Sequence, residues 1–459
     1  MKRKKVALLL VLVMICSMFY GCEGKKTTQE NAEKQPVSYE GLMTQWKEAA
    51  TTDHLTCWFT SESDKKWLEE AAMEFEKQYA VKVNLVYYDG ISFFEDMNKE
   101  NQKGTGPDMY ILGNDQLQLA TESGMAEENA WLDDAFWKEN FPEVAKNAVT
   151  YKDKQYGYPI YFDTYCLVYD ANLLETAPAS IDDIIAFLDA YEDTGSTKAV
   201  FRWDVADPYI NSMFIASYAN LFGDNGDDPT AFQVNNEKCI ATMEYFQSLS
   251  AYLWMNKNNI SHDTILNRIK DGTLVLGLCK SDILPTLYEM QAVNENTTEA
   301  NAESDTAQNE GESTEDSDEA DNAENTNETA STNYQISYVP SLTAELSSTS
   351  FSTTYSAFVN PYGVDNSLGN MFALFLSAGY SDHVYNGNGK LSVVDQKDAF
   401  NEMQKIVYAQ YLNSKPVPKV MIFGDYISES GITFDAIWEG QDAKEQLDLL
   451  QQTMEEKLK

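Results

Sequence analysis

Histidine is scarce in this chain, and negative charge far outnumbers positive charge. The 459 residues include three His, which leaves little for a histidine-built metal site or a catalytic triad. The 33 Lys and Arg face 73 Asp and Glu, so the net charge is -40. Because nucleic acids and anionic lipid headgroups attract proteins through Lys and Arg, this charge argues against both partners. No apolar run after residue 21 approaches the roughly 18 residues that a membrane span needs.

The sequence also lacks the short motifs of common metal, redox and hydrolytic sites. It contains no C-x-x-C pair, no G-x-S-x-G elbow and no H-E-x-x-H helix. The Asp-rich stretch at residues 223–228 lacks the residue order of a calcium-binding loop, which favours a turn. We therefore expect no catalytic residue, no metal and no cofactor. Four cysteines are expected to be buried thiols, namely Cys57, Cys166, Cys239 and Cys279.

The N-terminus has the pattern of an export signal followed by an anchor. Positive residues precede an apolar stretch that ends at Ile15 and is too short to cross a membrane. The segment from Phe19 to Cys22 resembles a bacterial lipobox, which implies that residues 1–21 are removed and Cys22 is acylated. An ordinary signal peptide with an incidental cysteine is the alternative. The polar residues 22–53 are predicted to be a flexible tether.

Residues 292–333 have a composition that does not support folding. They carry thirteen Asp and Glu and no Lys, Arg or aromatic residue. Such a segment has too little apolar surface to offset the entropy of ordering it. We predict a disordered acidic insertion within a folded domain, since strand-like sequence resumes at Tyr334. A calcium-attracting or wall-interacting role is the alternative.

The remaining chain alternates strand and helix patterns. Leu55–Thr60 and Lys82–Tyr88 are rich in β-formers, and Asp64–Tyr79 between them has apolar residues at helical spacing. This order predicts an open parallel sheet that binds ligands beyond the carboxyl ends of its strands. Gly157–Ile160 and Cys166–Tyr169 are interpreted as two further strand pieces that flank a crossover.

We predict an α/β fold of two lobes, each a mostly parallel sheet flanked by helices, with crossovers between the lobes. The first lobe is assigned residues 54–162 and about 334–350, together with a later return segment. The second lobe is assigned residues 163–291 and about 380–459.

Six short motifs occur in the order that they have in one protein family. The motifs are Phe75-Glu-Lys77, Gly106-Pro-Asp108, Tyr158-Pro-Ile160, Asp207-Pro-Tyr209, Lys270-Asp-Gly272 and Pro416-Val-Pro418. The arrangement resembles the bacterial ABC-importer solute-binding proteins, in particular the maltose/maltodextrin-binding type. The resemblance extends from about Leu55 to the C-terminus and implies a two-lobed binding protein rather than an enzyme.

The resemblance implies a set of ligand-binding side chains. Glu62, Asp115 and Asp163 stand where the family has sugar-binding carboxylates, and Asp207 and Tyr209 stand on a Glu and a stacking Tyr. Carboxylates with nearby aromatic rings suit a sugar, because its hydroxyls need hydrogen-bond partners and its C–H faces need flat apolar surfaces. Helix capping is the alternative role for the first two carboxylates.

Other candidates follow from the departures from the family pattern. Three sugar-stacking Trp of the family are replaced here by Leu112, Asp282 and Gly424, which favours a short or differently shaped sugar. Asp282 remains a candidate ligand-binding residue because it follows a strand end. Trp203 and Tyr161 are candidate stacking rings, with core packing as the alternative.

The sequence therefore predicts a monomeric receptor on the extracytoplasmic face of the cell membrane, anchored by lipid on Cys22. It captures a sugar or oligosaccharide and delivers it to the permease subunits of an ABC importer. A polyol or cationic solute, a secreted glycoside hydrolase and an adhesive surface protein are the alternatives.

Overall fold

The computed structural model describes residues 37–192, 198–293, 332–396 and 398–459. The predicted signal peptide, Cys22 and most of the predicted acidic insertion lie outside the described residues. The two ends of that insertion are described. Residues 292 and 293 end a helix, and the backbone carbonyl of Asn333 accepts a 2.8 Å hydrogen bond from the N–H of Ala171.

The strands that position the site belong to one sheet, and two small hairpins, β4-β5 and β8-β9, lie apart from it. The strands are β1 (His54–Phe59), β2 (Lys82–Tyr87), β3 (Met109–Gly113), β4 (Thr150–Tyr151), β5 (Lys154–Gln155), β6 (Gly157–Asp170), β7 (Ala199–Arg202), β8 (Asn220–Leu221), β9 (Phe232–Gln233), β10 (Leu274–Lys280), β11 (Tyr334–Ser337), β12 (Phe351–Val359), β13 (Leu391–Ser392) and β14 (Lys415–Pro416). Seven strands of the sheet follow the order β2-β1-β3-β12-β6-β10-β7. In addition, β11 and β13 pair with β6, and β14 pairs with β12.

Helices flank this sheet. Among the described residues, each helix is too short or too polar to cross a bilayer. The helices are α1 (Tyr39–Ala49), α2 (Asp64–Tyr79), α3 (Phe93–Lys103), α4 (Leu117–Glu122), α5 (Asp134–Asn140), α6 (Glu143–Ala148), α7 (Ile181–Ala190), α8 (Pro208–Asn211), α9 (Glu237–Leu253), α10 (His262–Lys270), α11 (284–293), α12 (Asn366–Leu374), α13 (Val384–Asn388), α14 (Glu402–Leu412), α15 (Phe423–Trp438) and α16 (Ala443–Lys457).

The outer parts of the sheet have the predicted parallel arrangement. β1 pairs in parallel with β2 and β3, and β10 pairs in parallel with β7. The predicted helix Asp64–Tyr79 is confirmed at both ends. β3 ends at Gly113 and β10 ends at Lys280, so Asp115 and Lys280 stand at strand carboxyl ends. This is the edge at which ligands are expected in such sheets.

The centre of the sheet differs from the prediction of two strand pieces. β6 is one continuous strand of 14 residues. Its first half pairs antiparallel with β12 as far as Thr164, and its second half pairs with β10 from Tyr165 onward. The residues of the predicted crossover stay extended because each finds a ladder partner on one neighbour or the other.

The pairing of β11 concerns one predicted lobe assignment, which stays a prediction. Residues 334–350 were expected in the first lobe. However, β11 pairs antiparallel with residues Leu167–Asp170 of β6, in the half that was assigned to the second lobe. Conversely, β13, from the range assigned to the second lobe, pairs with Tyr161 and Phe162 in the first half of β6.

The C-terminal part of the predicted tether contains a helix, which corrects that prediction for residues 39–49. Ser38 caps α1 by accepting a 3.2 Å hydrogen bond from the Gly41 N–H. Leu42, Met43 and Trp46 lie on one face and are buried in the main hydrophobic core. The helical spacing of these three apolar residues lets them pack together on the core, which stabilises the helix although the residues around them are polar.

We predict that Trp46→Ala lowers the free energy of unfolding by about 3–5 kcal/mol, because it removes a large side chain that is 1% exposed. Urea denaturation of the full chain measures the change. Gln45→Ala on the exposed face of the same helix is the control and should leave the stability nearly unchanged. Equal stability of both variants would restore the tether interpretation.

Candidate functional site

A cavity of about 210 Å³ lies where β6 exchanges β12 for β10 as its partner. Acidic, basic, hydroxyl and aromatic side chains meet there within a few strands. The lining residues are Asp115, Asp163, Thr164, Tyr165, Tyr209, Lys280, Phe351, Thr353, Tyr355 and Val417.

The alternation of side chains along β12 builds one wall of the cavity. Phe351, Thr353 and Tyr355 occupy every second position of β12, so they project from the same face of the strand. Thr353 stands opposite Asp163 on β6, and Tyr355 stands opposite Gly113 at the end of β3. The strand register therefore brings residues from distant parts of the chain to one place.

Asp163 forms an ion pair within this site. The Lys390 ammonium donates to Oδ1 at 2.7 Å and to Oδ2 at 2.9 Å, and Ser281 Oγ lies 3.4 Å from Oδ1. The Lys390 and Asp163 side chains are 15% and 21% exposed. Lys390 thus fixes the orientation of the carboxylate and neutralises its charge, while part of Asp163 still faces the cavity.

Asp115 has a different environment from Asp163. It lies in a 3₁₀ turn directly after β3, and Gln116 Nε2 donates to its Oδ2 at 2.8 Å. Burial raises the pKa of the Asp115 carboxyl above its usual range, and the hydrogen bond from Gln116 opposes this shift. The two acids that face the cavity are thus supported by an amide in one case and by a cation in the other.

Aromatic rings form much of the remaining surface. Tyr355 stacks on Tyr161 with ring centroids 4.8 Å apart. Tyr161 is 2% exposed, and its hydroxyl donates to Asp64 Oδ2 at 2.6 Å. Tyr161, a predicted stacking residue, therefore lies behind Tyr355 and supports it instead of facing the cavity.

Asp207 also lies one step behind the lining. It caps the short helix α8 by accepting a 2.9 Å hydrogen bond from the Tyr209 N–H. Its Oδ2 accepts a 3.2 Å hydrogen bond from the Tyr165 hydroxyl. Asp207 thereby positions two tyrosines that do line the cavity.

Two further candidates do not join the site, and their predicted places are corrected. Trp203 is fully buried in the core, where it packs on Phe201 and donates from its indole nitrogen to Asn211 Oδ1 at 2.9 Å. Inward-facing and cleft-facing positions alternate at a strand end, and Trp203 takes the inward one. Glu62 is exposed in the turn before α2, and the cavity lining does not include it.

Asp282 lies just past Lys280 but faces His262. Its Oδ1 lies 3.3 Å from His262 Nε2. Although burial alone would raise the pKa of Asp282, the His262 hydrogen bond and nearby cations hold it below its usual range. Asp282 does not line the cavity, and its ligand contact stays a prediction.

Sequence reasoning did not single out several residues of this site, among them Lys280, Lys390 and Tyr355. The alternate spacing of Phe351, Thr353 and Tyr355 was an available signal, because alternate residues of a strand share one face. Lys280 is the last residue of a predicted buried strand.

The described residues hold no group of three His, Cys, Asp or Glu side chains arranged for a metal ion. All four cysteines in the described ranges are buried free thiols, as expected.

Comparison with known proteins gives a family model and several relatives. The family model, described as bacterial extracellular solute-binding protein, matches residues 70–296. The chain is similar to the bacterial extracellular solute-binding proteins over that range. Maltodextrin-binding protein MdxE of Bacillus subtilis (strain 168) is 25% identical over 253 residues, which cover 53% of this chain and 56% of that protein. The maltotriose-binding protein of Pyrococcus abyssi (strain GE5 / Orsay) is 27% identical over 153 residues, 33% of this chain and 32% of that protein.

The chain spans about half the length of the first of these curated relatives, whereas solved structures match over nearly their whole length. The Staphylococcus aureus extracellular solute-binding protein in complex with maltose has a TM-score of 0.70 at 17% identity, over 89% of this chain and 98% of that chain. The Listeria monocytogenes maltose-binding protein MalE in complex with maltose has a TM-score of 0.67 at 18% identity, over 88% and 97%. The predicted two-lobed α/β fold is confirmed.

We predict that Lys390→Met lowers the free energy of unfolding by about 1–3 kcal/mol, because it leaves the mostly buried Asp163 carboxylate without its cation. Lys405→Met is the control, since Lys405 pairs with Glu402 on the surface of α14 and such pairs contribute at most about 1 kcal/mol. Guanidinium unfolding of both variants measures the difference. Equal losses would show that the Lys390 pair does not support the site.

The segment after β14 connects the cavity to a buried lysine. Val417 lines the cavity, and Lys419 is 0% exposed two residues later. The Lys419 ammonium donates to the Asn147 backbone carbonyl at 2.8 Å and to its Oδ1 at 2.9 Å. Burial lowers the pKa of Lys419 to about 8, and the field of Asp227 opposes this shift.

This depressed pKa predicts a pH dependence of stability. Between pH 8 and about 10.5 the unfolded chain binds a proton that folded Lys419 has lost, so the free energy of unfolding should rise with pH by at most about 3 kcal/mol. The measurement compares the wild type with Lys419→Met, which cannot titrate at this position. The unfolding free energy of the wild type minus that of Lys419→Met should increase from pH 8 to about 10.5. A constant difference would contradict the assignment.

Proposed function

We propose that this chain is an extracellular receptor that captures a sugar in the cavity between β12, β6 and β10 for an ABC importer. The observation that carries the proposal is the set of groups in one cavity: Asp115 and Asp163 carboxylates, Thr353 and Tyr165 hydroxyls, and the Tyr355 ring. Carboxylates and hydroxyls bond sugar hydroxyls, and a flat ring covers an apolar sugar face.

The size of the cavity supports a short sugar. Its volume of about 210 Å³ lies below the roughly 300–1,000 Å³ of typical ligand pockets. The three family positions that carry stacking Trp are occupied here by Leu112, Asp282 and Gly424, so the surface for a long chain of sugar rings is reduced. The names of the relatives, which include maltodextrin-binding and maltotriose-binding proteins, support a glucose-based oligosaccharide class.

The charge of the site favours a neutral ligand over a cationic one. Lys390 pairs with Asp163, and Lys280 lines the same cavity. With Asp115 and Asp163 as the two acids, the two lysines balance the local charge. A cationic solute would gain little from a balanced site, whereas a neutral polyol or sugar bonds to acceptors and donors alike.

The same pairing argues against hydrolysis. A glycosidase needs two carboxyl groups free to act as acid and as base or nucleophile. Here Asp163 is held at both oxygens by Lys390. The relatives named above are binding proteins.

The anchoring and delivery steps complete the proposal. Residues 1–21 are removed, Cys22 carries the lipid, and the receptor stays on the outer face of the cell membrane. Two lobes close about β6 and β12, and permease subunits receive the loaded form. The lobe boundaries run through the middle of β6, where it changes from β12 to β10.

We predict that the protein binds maltose or maltotriose by calorimetry, and that Asp115→Asn and Asp163→Asn each lower the affinity at least about tenfold, or about 1.4 kcal/mol. Each substitution removes a charged acceptor from the cavity. Asp89→Asn, an exposed acid outside it, is the matched control and should keep the affinity within about twofold. Circular dichroism confirms that the variants are folded.

Three outcomes would contradict parts of this assignment. Unchanged affinity in both cavity variants would remove the site. Binding of sorbitol or putrescine without any maltooligosaccharide would replace the ligand class. Shortened oligosaccharides after incubation would establish hydrolysis, whereas intact sugar with a raised melting temperature supports binding.

A further inference from the structure

The chain has three arginines, Arg3, Arg202 and Arg268. The latter two meet at a second cavity. Arg202 ends β7, an edge strand of the sheet, and Arg268 lies in the last turn of α10. Both line a cavity of about 160 Å³ that shares no lining residue with the sugar cavity. Two guanidinium groups thus face the same space in a chain whose net charge is -40.

Neither guanidinium forms an ion pair with a described side chain. Every ion pair between described side chains has Lys or His as its cation. Arg202 Nη1 donates to the backbone carbonyl of Phe201 at 2.7 Å, which is a neutral partner. Two like charges side by side repel each other, and an oxyanion between them would relieve the repulsion.

The rest of the cavity provides the other contacts of such a site. Asn256, Asn259 and Thr264 place polar side chains around the two arginines. Trp254 lines the same cavity, is 86% exposed and has a backbone φ of 44° at the end of α9. A bulky residue is uncommon in this left-handed region. The indole therefore offers a large apolar surface beside the paired positive charge.

We propose that this cavity, named here the arginine pocket (Arg202, Trp254, Asn256, Asn259, Thr264 and Arg268), binds an oxyanion of the phosphate or carboxylate type. The guanidinium is planar and presents N–H groups in pairs, which match the two oxygens of a carboxylate or phosphate. The amide and hydroxyl groups donate further hydrogen bonds, and the indole packs on the carbon skeleton that carries the anion.

The oxyanion has two possible sources, a free anion or the carboxylates of the chain itself. Thirteen acids lie in residues 294–331. The described residue that follows them, Thr332, packs so closely on Gly272 that a Cβ at Gly272 would lie 2.9 Å from its methyl carbon. Gly272 lies four residues beyond Arg268 along the chain, so Thr332 lies near the pocket.

The test is calorimetric titration of inorganic phosphate into four full-length proteins. They are the wild type, Arg268→Gln, a variant with all thirteen acids changed to their amides, and that amide variant with Arg268→Gln added. Arg268 is exposed, so its substitution should not disturb folding. Lys270→Gln, an exposed cation on the same helix, is the matched control and should change the affinity less than about twofold.

The expected result is phosphate binding that Arg268→Gln weakens at least about tenfold. If the wild type binds phosphate, the free anion is the source. If binding requires the amide variant and Arg268→Gln then removes it, the chain's own carboxylates occupy the pocket. Absence of binding in both backgrounds, or equal affinity with and without Arg268, would overturn the proposal. Sugar titration of Arg268→Gln should be unchanged, which separates this test from that of the sugar cavity.

Discussion

Strand β6 exchanges one hydrogen-bonding partner for another half-way along its length. Up to Thr164 it forms a ladder with β12, and from Tyr165 it forms a ladder with β10. At this point the neighbouring strands separate, and side chains from β3, β12, β6 and β10 reach one space. Because a backbone group that is buried needs a partner, the exchange keeps β6 extended while it opens a cavity beside it. The candidate site lies at this change of partner.

The balance of charge in that cavity explains how a strongly acidic protein can present a site for a neutral ligand. A carboxylate in a partly buried place loses hydration, and a nearby ammonium compensates for it. Lys390 does this for Asp163, and Lys280 adds a second cation to the lining. The fixed donors and acceptors that result are suited to hydroxyl groups, since a hydroxyl both donates and accepts.

Local patterns in the sequence were sufficient for much of the fold. The spacing in Asp64–Tyr79 predicted a helix with the right ends, and the family resemblance implied Asp115 and Asp163 as site residues. Contacts between distant residues were not predictable in this way. Lys390 lies 227 residues from Asp163 along the chain, and only β13, which pairs with β6, brings it close. Trp203 was misplaced because one residue of register decides between the core and the cleft.

The most direct measurement of the central claim is a crystal structure of the full chain grown with maltotriose. The account predicts a sugar ring that touches Tyr355 and hydroxyls within hydrogen-bond distance of Asp115 and Asp163. A sugar bound elsewhere on the molecule, with the cavity filled by water alone, would contradict it.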